Sequence, residues 1–205
     1  MQASISISAD PKLHYVLRLA DTCLILAQRL GEWCGHAPAL EEDIALTNIA
    51  LDLVGQSRLL YALAGTLSAP NSYTEDQLAF LRDERDYVNL TLVELPNGIR
   101  KGQPNDFAFS ILRVFAVASF LKPLWQRLQT SNDAELAAVA GKAGGGRVIR
   151  RAAVGQRAGL AAAVAAGAAA AGGRCGDGHR LALRFESLLH LRNNPCREFL
   201  RRDLF

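Results

Sequence analysis

Four long segments of the chain repeat apolar residues at three- and four-residue spacing, and this feature restricts the fold most. Such spacing places the apolar side chains on one face of an α-helix. It predicts helices over residues 11–33, 41–67, 74–95 and 107–129. Four antiparallel amphipathic helices of this length predict an all-α fold, an antiparallel helical bundle.

Residues at the helix ends agree with these boundaries. Asp10 is suited to cap the first helix, and Pro11 to occupy its first position. Thr74 and Gln77 match a capping box at the start of the third helix, and Pro123 predicts a kink in the fourth. The expected core stripes of the first two helices are Leu13, Leu17, Ala20, Leu24 and Ala27, and Leu46, Ile49, Leu53, Gln56, Leu60, Leu63 and Leu67.

Composition changes abruptly after Lys142. No acidic residue lies between Glu135 and Asp177, whereas arginines recur there, and residues 155–173 consist mainly of alanine and glycine. An alanine-rich helix offers little large apolar surface for packing. The sequence therefore predicts two regions, a helical bundle domain over 1–142 and an atypical low-complexity, basic segment over 143–205.

Charge and cysteine usage favour a cytoplasmic protein. The formal net charge is only +3, and the basic segment lacks interleaved aromatic residues, so we expect no nucleic-acid partner. The sequence shows no signal peptide, and the alanine run is too short for a bilayer span, so we expect no membrane partner. The four cysteines form no CxxC or zinc spacing and are predicted to be free thiols.

A helical bundle of this size could hold a dinuclear metal centre. Such centres use a glutamate from two helices and a Glu-x-x-His motif from two others, because this spacing puts both ligands on one face. The sequence contains no Glu-x-x-His, and residues 107–132 contain neither a carboxylate nor a histidine. We therefore predict no metal site and no catalytic residue in this chain.

Two polar features each leave two interpretations open. Gln56 interrupts an apolar stripe, either as a hydrogen-bonded core glutamine or as the remnant of a metal-ligand position. The charged run over residues 82–86 is either a solvated helix face or a contact for a partner protein.

Several runs of sequence resemble one known family. They are residues 15–21 (YVLRLAD), 27–38 (AQRLGEWCGHAP), 42–56 (EDIALTNIALDLVGQ), 78–85 (LAFLRDER) and 89–98 (NLTLVELPNG). Over about residues 12–142 the chain resembles the structural C-subunit family of phenylacetyl-CoA epoxidases, monooxygenases of phenylacetate degradation. The resemblance implies a ferritin-like bundle.

The resemblance also implies a division of labour. The chain is expected to be a non-catalytic structural subunit of a multicomponent ring epoxidase, in a complex with a related catalytic ferritin-like subunit and further subunits. The di-iron cofactor is expected in the catalytic subunit, with no cofactor in this chain. Gln28, Leu53 and Gln56 then stand at degenerate ligand positions. The exposed candidates for partner contacts are Arg82, Asp83, Glu84, Arg85, Asn97 and Gly98.

The C-terminal segment departs from the family, which continues there into another long helix. We hypothesise a frameshift near codon 143 that replaces the last bundle helix with the Ala/Gly/Arg-rich tail. The alternatives to a structural subunit are a stand-alone ferritin-like di-iron oxygenase and a truncated or frameshifted non-functional product.

Overall fold

The computed structural model describes residues 5–98 and 105–144, and within these ranges all regular secondary structure is helical. The α-helices are α1 (Pro11–Gly31), α2 (Leu40–Leu67), α3 (Glu75–Phe80), α4 (Thr91–Glu94), α5 (Phe107–Leu128) and α6 (Ala134–Gly144), with a 3₁₀ turn at Glu84–Asp86. The helical bundle is thus confirmed. The predicted replacement of the last helix, and most of the predicted segment 143–205, lie outside the described residues.

Helices α1 and α2 form an antiparallel hairpin that contains most of the core. The Asp10 carboxylate accepts a hydrogen bond from the Leu13 amide at 2.9 Å, and Pro11 opens α1 as predicted. The turn to α2 contains Gly35 with φ +76°, where glycine avoids the steric cost that other residues meet. The Gly35 amide donates to Asp43 Oδ2 at 2.7 Å, which ties this turn to the first turn of α2.

The predicted core stripes of α1 and α2 are confirmed. Their members are buried, except that Leu24 and Leu67 are half-buried at the edge of the core. The remaining core is supplied by Leu78, Leu92 and Val93 from the connecting segment, by Ile111, Val114, Val117, Leu121, Trp125 and Leu128 from α5, and by Leu136, Ala140 and Ala143 from α6.

The prediction of one continuous third helix over residues 74–95 was wrong. The capping box of Thr74 and Gln77 is present and opens α3, but α3 ends at Phe80. Beyond it, side chains bond to the backbone of the same segment: Tyr87 Oη donates to the Ala79 carbonyl at 2.5 Å, and Arg82 Nε donates to the Leu78 carbonyl at 2.6 Å. These bonds, with tertiary contacts to α1 described below, override the helical pattern of the sequence.

Helices α5 and α6 form a second hairpin. The Asp106 carboxylate caps α5 by accepting from the Phe109 amide at 3.1 Å, and α5 continues through Pro123 to Leu128. Helix α6, which the sequence pattern did not predict, packs against α5 and α2. By length and composition α5 could cross a membrane, but one such helix is weak evidence for a span within the described ranges, because core helices of bundles share these properties.

An ion pair links the second hairpin to α1. Lys12 Nζ lies 2.6 Å from Asp133 Oδ2, and Asp133 Oδ1 accepts from the Leu136 amide at 3.1 Å at the start of α6. Partial burial acts to raise the pKa of Asp133, but the hydrogen bond and charge of Lys12, with backbone hydrogen bonds at the start of α6, outweigh it and lower the pKa from its usual value.

We expect Asp133→Asn to lower the free energy of unfolding by about 0.5 kcal/mol at pH 7, because asparagine keeps the cap and removes the charge. A carboxylate whose pKa is lower in the folded state stabilises the fold at pH values above its unfolded-state pKa. The difference in unfolding free energy between Asp133→Asn and wild type is therefore lost as the pH falls through the folded-state pKa of Asp133. Urea unfolding at pH 7 and pH 3 measures this difference. A difference that is unchanged at pH 3 contradicts the assignment.

Candidate functional site: the polar interior of the bundle

The three degenerate ligand positions do not share one environment. Leu53 and Gln56 are both 5 % exposed on the inner face of α2, whereas Gln28 is exposed on α1. The Gln56 amide faces α1, where the Cys23 thiol lies 3.9 Å from Gln56 Oε1 in a weak hydrogen bond. Burial raises the pKa of Cys23 to about 12, so the thiol stays protonated at neutral pH and is a poor metal ligand.

The residues of this interior do not fit a dinuclear iron centre. Such a centre needs several carboxylates and imidazoles that converge from neighbouring helices. Within residues 5–98 and 105–144, no group of three or more His, Cys, Asp or Glu side chains could hold a metal ion. Leu53 and Gln56 occupy the two degenerate ligand positions on α2, and neither side chain supplies the anionic oxygen that such iron sites use.

The one carboxylate buried inside the α1–α2 hairpin belongs to a polar cluster that joins α1, α2 and the segment after α3, within the described residues. We call Asp21, Tyr61, Arg82 and Tyr87 the Asp21 cluster. The Asp21 and Arg82 side chains are both fully buried and form a two-pronged ion pair, in which Arg82 Nη2 contacts Oδ1 and Nη1 lies 3.1 Å from Oδ2.

Further hydrogen bonds use the remaining acceptor capacity of Asp21. Tyr61 Oη donates to Oδ1 at 2.6 Å, and the Val88 amide donates to Oδ2 at 3.0 Å. The Arg82 guanidinium also lies over the Tyr87 ring, 4.3 Å from its centroid. With four donors on its two oxygens, the Asp21 carboxylate is not available to a metal ion or a substrate.

The electrostatics of the Asp21 cluster favour the charged form of Arg82. Burial acts against the charged form of Arg82, but the hydrogen bonds and charge of Asp21 outweigh it and raise the Arg82 pKa above its usual value. Burial, followed by the charge of Asp21, raises the pKa of Tyr61, so its hydroxyl stays protonated and donates. The cluster is therefore a fixed ion pair rather than an acid–base site.

A second polar cluster lies around Asn97, at the C-terminal end of α1. The Asn97 side-chain nitrogen donates to the Arg29 carbonyl and to Glu32 Oε2, both at 2.8 Å. Its oxygen accepts from Ser110 Oγ at 3.2 Å and from Arg113 Nη2. One amide thus joins the C-terminal end of α1 to the first turns of α5.

Arg113 is fully buried in this second cluster. Its guanidinium donates to the Leu95 carbonyl and to Asn97, while its Nε has no hydrogen-bond partner within the described residues. Burial and then the neighbouring charge of Arg29 lower the pKa of Arg113 to about 10, which still leaves it charged at neutral pH. Neutral oxygens rather than a carboxylate therefore hold this buried charge.

Half of the candidate partner contacts are not on the surface. Arg82, Asn97 and Gly98 are buried, so the expectation that they are exposed was wrong, and their role as partner contacts stays a prediction. Asp83, Glu84 and Arg85 are exposed, and the structure does not test them as contacts. The sequence pattern also gave no prediction for Asp21, although a carboxylate between Ala20 and Leu24 of an apolar stripe was a signal for a buried partner.

The fold and this interior define a ferritin-like helical bundle whose polar interior is used for hydrogen bonds and ion pairs. Residues 2–144 match the family described as Phenylacetic acid catabolic protein, and the chain belongs to that family. It is 50 % identical over 129 residues to the C-subunit of 1,2-phenylacetyl-CoA epoxidase from Escherichia coli (strain K12), a match that covers 63 % of this chain and 48 % of that protein. The chain thus spans about half the length of the curated relative it matches.

Proposed function

We propose that this chain is a non-catalytic, cytoplasmic subunit of a multicomponent phenylacetyl-CoA epoxidase, and that it pairs with the di-iron catalytic subunit of that complex. Two observations carry the proposal. A 50 % identical relative is itself a subunit of a phenylacetyl-CoA epoxidase, and the described residues contain no group of three or more side chains that could hold a metal ion. The proposed work of this chain is therefore to bind and stabilise the catalytic subunit.

The Asp21 cluster supports a structural role. Asp21 lies on α1, Tyr61 on α2 and Arg82 in the connecting segment, so the ion pair fixes three parts of the bundle in one arrangement. A buried ion pair that is fully hydrogen-bonded adds specificity to an arrangement more than it adds stability. The interior therefore favours a rigid scaffold that presents its outer surfaces to other subunits.

Co-expression with the catalytic subunit of the epoxidase tests the proposal. We expect affinity purification through a tag on this 205-residue chain to recover the catalytic subunit, and size exclusion to elute both in one peak. Free chains in separate peaks, with the catalytic subunit fully active alone, would contradict it. The catalytic subunit co-expressed with an unrelated tagged helical bundle is the control for non-specific capture.

A further inference from the structure

The outer face of α2 carries an apolar stripe that nothing in the described structure covers. Leu40 is 72 % exposed, Ile44 55 %, Leu51 64 % and Val54 37 %. Their spacing of four, seven and three residues places them on one side of the helix. We call these four residues the α2 stripe.

The opposite side of α2 is also apolar, because it forms the core through Leu46, Ile49, Leu53 and Leu60. A helix that is apolar on both sides is typical of an interior position, where a second element covers the outer side. Scattered single exposed leucines are normal on a soluble protein, but four apolar side chains share one face of the longest described helix.

Gly55 leaves room for close approach of another element on the same face. It lies inside α2, where glycine costs about 1 kcal/mol relative to alanine. A Cβ atom added at Gly55 meets no atom within 4 Å, so no contact within the described structure requires a glycine there. A backbone from another element, packed closely against α2, would require it.

Charges beside the α2 stripe indicate the chemistry of its partner. Glu41 and Asp52 are exposed on one flank of it, and the exposed cation near its C-terminal end, Arg58, is already paired with Glu75 at 2.6 Å. A matching surface therefore carries lysine or arginine beside an apolar stripe.

The acids beside the stripe argue against antiparallel pairing of two copies of this chain. Pairing about the middle of the stripe brings Glu41 of one copy near Asp52 of the other, which juxtaposes like charges.

We propose that the α2 stripe is the face on which the catalytic subunit docks, through an amphipathic helix with an apolar stripe and basic flanking residues. This inference rests on the proposed function, and it names the surface through which this chain binds the catalytic subunit. Gly55 is the point of closest approach between the two helices.

The double variant Ile44→Gln/Leu51→Gln tests the surface in the full chain. Both side chains are exposed, so we expect the isolated variant to keep its helical circular dichroism and its Tm. Its Kd for the catalytic subunit, measured by isothermal titration calorimetry, is expected to rise about 100-fold, about tenfold for each lost apolar contact. The matched control is Phe80→Gln, a residue 74 % exposed on α3, which is expected to leave the Kd unchanged.

Gly55→Ala is expected to stabilise the isolated chain and to weaken its binding to the catalytic subunit. We expect a higher Tm for the isolated chain, because alanine favours the helix, and a Kd raised about tenfold, because the added methyl group holds the partner helix away. A loss of affinity through misfolding would instead lower both the Tm and the affinity.

Two outcomes overturn the inference. Ile44→Gln/Leu51→Gln binds as tightly as wild type, or it weakens binding no more than Phe80→Gln does. Unchanged binding together with a lower Tm of the isolated chain would mean that the chain itself covers the stripe. If the wild-type chain does not bind the catalytic subunit, the proposed function fails. The surface is then tested by sedimentation of the chain with each of the other subunits of the complex. It fails if the double variant and wild type bind these subunits alike.

Discussion

Replacement of Arg82 by methionine is expected to lower the free energy of unfolding by about 3–5 kcal/mol, because it leaves the Asp21 carboxylate buried without its counter-ion. The loss extends beyond one ion pair. Arg82 also donates to the Leu78 carbonyl and contacts the Tyr87 ring, so the segment after α3 loses its anchor to α1. Urea unfolding followed by circular dichroism at pH 7 measures the loss.

A double-mutant cycle separates the pair from the burial of each side chain. We expect Asp21→Leu/Arg82→Met to be less destabilised than the sum of its two single variants, since the double variant buries no unpaired charge. Arg85→Met is the matched control, because Arg85 is exposed in the same segment, and we expect a change within about 0.5 kcal/mol. Additive single effects, or a loss below about 1 kcal/mol for Arg82→Met, would show that the pair does not hold the segment.

The second large effect is expected at Gly65, near the C-terminal end of α2. A Cβ atom added there lies 2.2 Å from the backbone carbonyl oxygen of Tyr73, so the backbone after α2 must move. We expect Gly65→Ala to lower the free energy of unfolding by about 2–3 kcal/mol through overpacking.

Gly55→Ala is the matched control for Gly65→Ala, because it is the same substitution in the same helix. A Cβ at Gly55 meets nothing within 4 Å, so we expect this variant to gain about 0.5–1 kcal/mol from helix propensity. Thermal unfolding of both variants and wild type measures the expected loss of stability in Gly65→Ala and the expected gain in Gly55→Ala. Equal effects of the two substitutions would contradict the close approach of α2 and Tyr73.

The sequence predicted the long helices well, because their core stripes are local patterns. Asp10, Pro11 and Thr74 start α1 and α3 as expected, since capping depends on residues three positions apart. The early end of the predicted third helix could not be read from a local pattern. The segment after α3 is held by the contact of Arg82 with Asp21, which lies 61 positions earlier in the chain.

Asn97 shows a second limit of sequence patterns. Asn97 was predicted as an exposed candidate for a partner contact. Its amide is instead buried, because the Arg29 carbonyl, Glu32, Ser110 and Arg113 all bond to it. The short, alanine-rich α6 was missed because its few large side chains give a weak stripe.

The absence of a metal site stays a prediction, which rests on the missing Glu-x-x-His of the sequence. Of the three degenerate ligand positions, Leu53 and Gln56 lie in the interior of the bundle. Gln28 lies on the surface instead, so a shared ancestral ligand set for these three positions stays a hypothesis. The α2 stripe was not found because four leucine, isoleucine and valine residues opposite the core side resemble additional core residues in sequence.

The most direct test of the central claim is the iron content of this chain and of its complex. Each is reconstituted anaerobically with ferrous iron, separated from free metal by gel filtration and analysed by mass spectrometry of the metal. We expect about two iron ions per catalytic subunit in the complex, the dinuclear content of this fold, and no bound iron on this chain alone. About two iron ions on the isolated chain, or about four per pair in the complex, would contradict the non-catalytic assignment and favour an enzyme with its own centre.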